Sequence, residues 1–325
     1  MGKVVSHAVR DNNALRAVSK EMRSVYDANV TGLTLSVKCD TAAHTAARTV
    51  GCCQRLRRLS IKGMVKNLPL VLAGCRDRGL RRLDLCVSEH EPALRHLRQK
   101  TTGPNTVPPC LARLTGLQDL RISGGILVEC AILRGLTNLQ TLHLAWRTSR
   151  IVVDLAPALE RLTALRELVV GDLDIDCAGL AEVLQRVSPG LRTLKLRRTK
   201  DHRWSHKGID DAVALGIARL TNLCELDLTY SYMGPDGAAA LAPALRLLLS
   251  LRSLDLALNC LGKGGAEAIA PALSRLTALT SLSFYKNDLG PDGVAALAPA
   301  ISQCHGLATI DASSHLRRRP CRISK

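Results

Sequence analysis

The frame L-x-x-L-x-L, with leucine or another aliphatic residue at the fixed positions, recurs eleven times between Val30 and the C-terminal region. It reads VTGLTL from Val30, LRRLSI from Leu56, LRRLDL from Leu80, LQDLRI from Leu117, LQTLHL from Leu139 and LRELVV from Leu165. LRTLKL from Leu191, LCELDL from Leu223, LRSLDL from Leu251, LTSLSF from Leu279 and LATIDA from Leu307 complete the series, with successive copies 22 to 37 residues apart. Self-similarity at such a period marks stacked units, each too small to bury its own apolar face. Inside each copy the alternation x-L-x-L-x gives a short strand with one face buried, because strand side chains point to opposite faces in turn. Downstream segments such as GAEAIAPAL (265–273) and GVAALAPAI (293–301) carry apolar residues at helical spacing. The expected fold is therefore an α/β solenoid: a horseshoe with parallel strands on the concave face and helices on the convex face.

Two copies are more explicit. LRSLDLALNCLGKGG (251–265) and LTSLSFYKNDLGPDG (279–293) follow L-x-x-L-x-L-x-x-N-x-L-G-x-x-G. On these residues the chain resembles the leucine-rich-repeat family, in its ribonuclease-inhibitor-like subclass, over residues 30–315. Earlier copies are shorter and carry Met64, Ser88, Gly125, Arg147, Leu173 and Thr199 where the asparagine would stand. The resemblance implies a non-enzymatic scaffold that contacts a protein partner through its concave strands. Pro157, Pro243, Pro271 and Pro299 recur at one phase of the outer helices and should keep them short or kinked.

The chain divides by pattern into an N-terminal helical cap (1–29), the repeat domain (30–315) and a basic tail (316–325). Residues 11–29 place Leu15, Val18, Met22 and Val25 on one side of a helix. Within them LRAVSKEMRSVYDA resembles the second half of an F-box, with Met22 in place of the usual aromatic residue and the leading L-P-x-E-L half absent. That resemblance implies a Skp-type adaptor as partner and a role as substrate receptor of a ubiquitin ligase. The repeats are also similar to those of the GTPase activator of Ran, although that family has an acidic tail and this tail is basic.

Aromatic residues make up 2% of the chain against 46% hydrophobic residues in all, so the core must be layered from aliphatic side chains. The net charge of +17 is unevenly placed: residues 208–315 carry 6 Lys/Arg against 10 Asp/Glu, while most of the excess cations precede them. The outward strand positions are the third, fifth and seventh of each copy. There Arg58, Lys62, Arg82, Arg121, His143, Lys195 and Arg197 give way to Glu225, Asp227, Asp255 and Tyr285, and these are the candidate contact residues. The insertion TKDHRWSHKGID (199–210) adds Arg203 and Trp204 as a second contact, since loops on rigid scaffolds carry function. The partner expected is a protein acidic on its contact surface. Nucleic acid is disfavoured, because few aromatic side chains are available to stack on bases and no RNA- or DNA-binding module is present.

Other motifs yield to the repeat. The glycines of Gly262-Lys263-Gly264-Gly265 serve a turn into a helix, because the same slot elsewhere holds Gly-Pro-Asp-Gly, whose carboxylate would repel a phosphate. His202 and His206 lie beside Asp201 without a further ligand, so no metal is expected, and no cofactor or catalytic constellation is apparent. Cys52, Cys53, Cys75 and Cys304 precede the first leucine of a copy and read as packing residues, and the cysteines as a group read as reduced thiols. No export signal or membrane span is apparent, which points to the cytoplasm, while the basic run LRRRPCR (316–322) reads as a nuclear signal. Met1-Gly2-Lys3-Val4-Val5-Ser6 fits the loose N-myristoylation pattern, so peripheral membrane contact would follow if Gly2 were acylated.

Overall fold

The computed structural model describes residues 5–6, 30–37, 39–63, 67–75, 79–87, 107–124, 130–145, 155–171, 177–197 and 209–313. The chain forms two compact units, Met1–Ala164 and Leu165–Lys325. Each of the eleven frames opens a strand. In the N-terminal unit these are β2 (Gly32–Val37), β3 (Arg58–Gly63), β4 (Arg82–Val87), β5 (Asp119–Ser123) and β6 (Thr141–Ala145), each parallel to the next. A further strand, β1 (Val5–Ser6), pairs with β2 ahead of the first repeat; no alternation in the sequence announces it. The C-terminal unit carries β7 (Glu167–Gly171), β8 (Thr193–Arg197), β9 (Glu225–Asp227), β10 (Ser253–Asp255), β11 (Ser281–Ser283) and β12 (Thr309–Asp311), again parallel in chain order.

The register turns the sequence frame into columns. Leu33, Leu59, Leu83, Leu120 and Leu142 align across the N-terminal sheet, as do Leu35, Ile61, Leu85, Ile122 and Leu144. From Leu59 and Ile61 onward these side chains are at most 1% exposed. Such layered aliphatic packing substitutes for the aromatic residues the chain lacks. At the other end Ile310, in the column of Leu254 and Leu282, is 50% exposed, and no described strand lies beyond it.

Repeat length decides what fills the return path. Among its described residues the N-terminal unit carries α1 (Asp40–Cys52), α2 (Leu68–Ala73), a 3-10 turn (Pro109–Arg113), α3 (Cys130–Arg134) and α4 (Ala156–Leu159). In the C-terminal unit α5 (Cys177–Arg186) and α6 (Asp211–Ala218) are followed by α7 (Gly234–Leu245), α8 (Gly262–Leu273) and α9 (Gly290–Ser302), of 12, 12 and 13 residues. Pro243, Pro271 and Pro299 lie inside α7, α8 and α9, which run on for two or three residues beyond them; short helices occur at α4, where Pro157 stands in the first turn. The carbonyls the prolines leave without a helical donor belong to Ala239, Glu267 and Ala295, all exposed, so water can satisfy them.

Buried asparagines lock the last repeats together. Asn259 is fully buried; its Nδ2 donates to the carbonyls of Leu228, Leu256 and Ala257 at 2.9, 3.0 and 3.2 Å. Its Oδ1 accepts from the amides of Ser231 and Met233 at 2.8 and 3.4 Å. Asn287 repeats this one turn on, accepting from Asn259 and Leu261 and donating to Leu256 and Phe284. To aim each of these positions inward the chain becomes left-handed on both sides. Tyr230 and Tyr232, Leu258 and Cys260, and Lys286 and Asp288 all have φ between 48° and 63°.

Arginine plays an equally structural part. At the second position of their frames Arg57, Arg81 and Arg166 donate through Nη1 to the carbonyls of Gly79, Gly116 and Gly190, at 3.0, 3.2 and 2.8 Å. Each clips its own repeat to the turn that precedes the next strand.

Candidate protein-binding face

On β3, Arg58 and Lys62 are exposed, and neither has an ion-pair partner among the described residues. The next two strands carry a four-member charge network. Arg82 Nε lies 3.1 Å from Asp84 Oδ2 and its Nη1 3.3 Å from Asp119 Oδ2, while Arg121 Nε lies 3.1 Å from Asp119 Oδ1 and 3.8 Å from Asp84 Oδ1. Partial burial works against the charge of Arg82, but the hydrogen bond to Asp84 and the charges of Asp119 and Asp84 more than offset it, so its pKa shifts upward. Both guanidinium side chains remain more than a third exposed, so the network presents cations to solvent while holding them in place. His143 follows Arg121 in register on β6 and is half-buried.

In the C-terminal unit four of the candidate residues pair with one another. Lys195 Nζ lies 2.5 Å from Glu225 Oε1, and Arg197 reaches Asp227 Oδ2 through Nε at 2.8 Å and Nη2 at 2.6 Å. Asp227 is only 3% exposed, and its other oxygen accepts from the Thr229 amide, so it holds the structure and offers little surface. Asp255 Oδ1 likewise accepts from the Ala257 amide. Tyr285 is half-buried, with the Lys286 ammonium 4.9 Å from its ring centroid. Arg203 and Trp204 lie outside the described residues, as do residues 11–29, Gly2 and the tail.

The sequence reading missed Tyr230 and Tyr232. Their rings meet edge to face at 5.0 Å with the hydroxyls 3.1 Å apart, and burial followed by the Tyr232 contact pushes the Tyr230 phenol up to about 12. Their signal was positional, since they flank Ser231 in the slot that Asn259 and Asn287 occupy in later repeats.

The cysteine expectations need two corrections. Cys53 and Cys304 are buried as expected, but Cys52 is exposed at the end of α1 and Cys75 is only half-buried. Burial, with Cys110 nearby, pushes the Cys75 thiol up to about 12. Eight described cysteines are free thiols, whereas Cys260 is disulfide-bonded, against the expectation of thiols throughout. Among the described residues no cluster of His, Cys, Asp or Glu is placed to hold a metal, and no helix is long and apolar enough to cross a membrane.

Parallel strands in register, helices returning outside them and asparagines bonding between turns define a leucine-rich-repeat solenoid. The sequence model for the leucine-rich repeat matches residues 248–270 and 276–298. No curated protein sequence matches the chain. Among solved structures it is similar to a chain of the TLR13–ssRNA13 complex, at 17% identity and TM-score 0.49, covering 81% of this chain and 33% of that one. It is also similar to the leucine-rich-repeat-containing protein LegL7 from Legionella pneumophila, at 16% identity and TM-score 0.44, covering 87% of this chain and 83% of that one. An internalin, inlF, from Listeria monocytogenes matches at 16% identity and TM-score 0.41, covering 92% of this chain and 90% of that one.

Proposed function

We propose that the chain is a non-enzymatic protein-binding scaffold, of ribonuclease-inhibitor-like repeat type, that holds an acidic protein segment along β3 to β5. The observation that carries this reading is the exposed pair Arg58 and Lys62, free of ion-pair partners among the described residues, beside the pre-ordered guanidinium groups of Arg82 and Arg121. An extended acidic segment would meet cations on consecutive strands about 4.8 Å apart, a spacing that suits successive contacts along one peptide. The cytoplasm or nucleus is the proposed place of action.

The test is affinity capture of the tagged chain from its native cell, beside the variant Arg58→Glu/Lys62→Glu. Both side chains are exposed, so folding should be preserved while partners are lost. Binding of the wild-type chain should also weaken as salt rises. Partners that persist unchanged in the variant would remove this face from consideration. The ligase-receptor reading rests on LRAVSKEMRSVYDA alone; recovery of a Skp-type adaptor, lost on replacing Leu15 and Val18 by Asp, would favour it.

A further inference from the structure

The turns that lead from each outer helix into the next strand line one edge of the C-terminal unit. Arg192, Cys224, Arg252, Thr280 and Ala308 form one row along it, because each amide from Cys224 onward donates to the carbonyl of the residue before it in the row, at 2.7 to 2.8 Å. Arg219, Leu247 and Arg275 form a second row. Each precedes a buried leucine, Leu220, Leu248 or Leu276, whose amide donates back to the end of its helix, at Ile217, Leu245 and Leu273 in turn. By the same alignment Thr221, Leu249 and Thr277 make a third row.

Charge on this edge is of one sign. Arg192, Arg219, Arg246, Arg252 and Arg275 are all exposed, and none has an ion-pair partner among the described residues. The turns 186–192, 219–224, 246–252, 274–280 and 302–308 contain no aspartate or glutamate. Acidic residues gather instead at the helix starts, where Asp210 caps α6 and Asp236 and Asp292 stand in the first turns of α7 and α9. Helix dipoles do not account for the arginines. The C-termini of α5 to α8 present about half a negative charge each, roughly two in all, against five guanidinium groups.

Two leucines stand in the middle of this edge. Leu247 and Leu249 are each 54% exposed, while Leu248 between them is fully buried. The flanking repeats hold Arg219 and Arg275 in the slot of Leu247, and Thr221 and Thr277 in the slot of Leu249, so the repeat itself does not require leucine at either. A phosphate backbone would pair with the arginines and leave both leucines in water. Cations surrounding projecting apolar side chains match a bilayer surface, where anionic headgroups overlie acyl chains.

We propose that this edge is a membrane-contact surface, docking the C-terminal unit on a leaflet rich in anionic phospholipid. The arginines meet the headgroups, and Leu247 and Leu249 enter the boundary with the acyl chains. The contact is peripheral and reversible. Because turns rather than strands meet the lipid, the sheet stands edge-on to the bilayer and its outward strand positions remain open to a partner.

Vesicle flotation of the full chain, prepared without acylation so that Gly2 plays no part, tests this. The probes are phosphatidylcholine vesicles with about 30% phosphatidylserine, beside vesicles of phosphatidylcholine alone. The chain should float with the anionic vesicles, stay behind with the neutral ones, and be released as salt rises. At about fivefold per arginine, Arg246→Gln/Arg275→Gln should weaken the partition roughly 25-fold. Leu247→Ser/Leu249→Ser leaves the charge unchanged and should weaken it roughly tenfold or more. All four side chains are exposed, so circular dichroism and the unfolding midpoint should match the wild-type chain. Arg58→Gln/Lys62→Gln removes the same charge elsewhere and should change the partition by less than about threefold. Failure to float with the anionic vesicles, equal binding by the serine variant, or a loss confined to the Arg58 and Lys62 variant overturns the proposal. So does tight binding of a single-stranded oligonucleotide by wild-type chain and serine variant alike without vesicle binding, which would mark a nucleic-acid surface.

Discussion

Replacing Asn259 by alanine would remove five hydrogen bonds with one side chain, three donated to the carbonyls of Leu228, Leu256 and Ala257 and two accepted from the amides of Ser231 and Met233. The 3.4 Å and 3.2 Å members are weak, so three bonds near 2.9 Å dominate. Because the site is fully buried, water cannot replace the lost partner without entering the cavity left behind. The Leu256 carbonyl keeps its bond from Asn287 and the Ala257 carbonyl its bond from the Tyr230 amide, so the orphaned groups are the Leu228 carbonyl and the Ser231 and Met233 amides; at about 1–3 kcal/mol each, with partial relaxation, the total is ~3–5 kcal/mol. Urea unfolding followed by circular dichroism would measure it, with Ser302→Ala as an exposed control expected to change stability by less than ~0.5 kcal/mol. Solenoids can unfold in parts, so hydrogen exchange at the amides of Ser231 and Met233 should accelerate with the loss of their acceptor. A cost below about 1 kcal/mol, with those amides still protected, would refute the view that the asparagines join adjacent turns.

Gly124 has φ +99°, and an added Cβ would fall 2.1 Å from the Val87 carbonyl oxygen, so Gly124→Ala should destabilise by roughly 2 kcal/mol or more in a thermal melt. Leu254→Ala and Leu282→Ala each open a cavity in a sealed column and should cost ~2–5 kcal/mol in chemical denaturation. Arg197→Met would leave the carboxylate of Asp227 buried without its cation; because Arg197 is itself 57% exposed, the expected loss is a discounted ~1–2 kcal/mol. Cys39 is exposed, and its thiol is lowered first by the Thr41 hydroxyl, so at neutral pH iodoacetamide should alkylate it well before Cys75, whose burial favours the neutral thiol. Equal alkylation of the two would contradict the assigned environments.

The repeat frame made the strands and their buried columns legible, because alternation of Leu59 and Ile61 with Arg58, Ser60 and Lys62 has one physical reading. The asparagine slot was legible for the same reason. What escaped were features decided between repeats. Nothing in the local sequence says that Lys195 and Arg197 meet Glu225 and Asp227, since the partners stand 30 residues away and only the register brings them together. Nor does alternation predict that Asp227, at an outward position, is nearly buried. The paired tyrosines escaped because their outward aim comes from left-handed backbone at Tyr230 and Tyr232, a conformation the stacked turns impose and no residue preference announces.

The fold divides the excess positive charge by position within the frame. Arg57 and Arg58 are sequence neighbours, yet a strand sends them to different environments: Arg57 donates to the Gly79 carbonyl, and Arg58 stands on the sheet face. The two should therefore respond oppositely to the same change. Arg57→Ala removes a charge-assisted but exposed bond and should lower stability by ~0.5–1 kcal/mol while partner capture is retained. Arg58→Ala should leave the unfolding midpoint nearly unchanged and reduce capture. Comparing denaturation midpoints and partner recovery for both variants separates structural from functional cations on a single strand. If Arg57→Ala lost the partner and Arg58→Ala lost stability, the assignment of the frame positions to faces would fail for β3, and with it the choice of Arg58 and Lys62 as the contact.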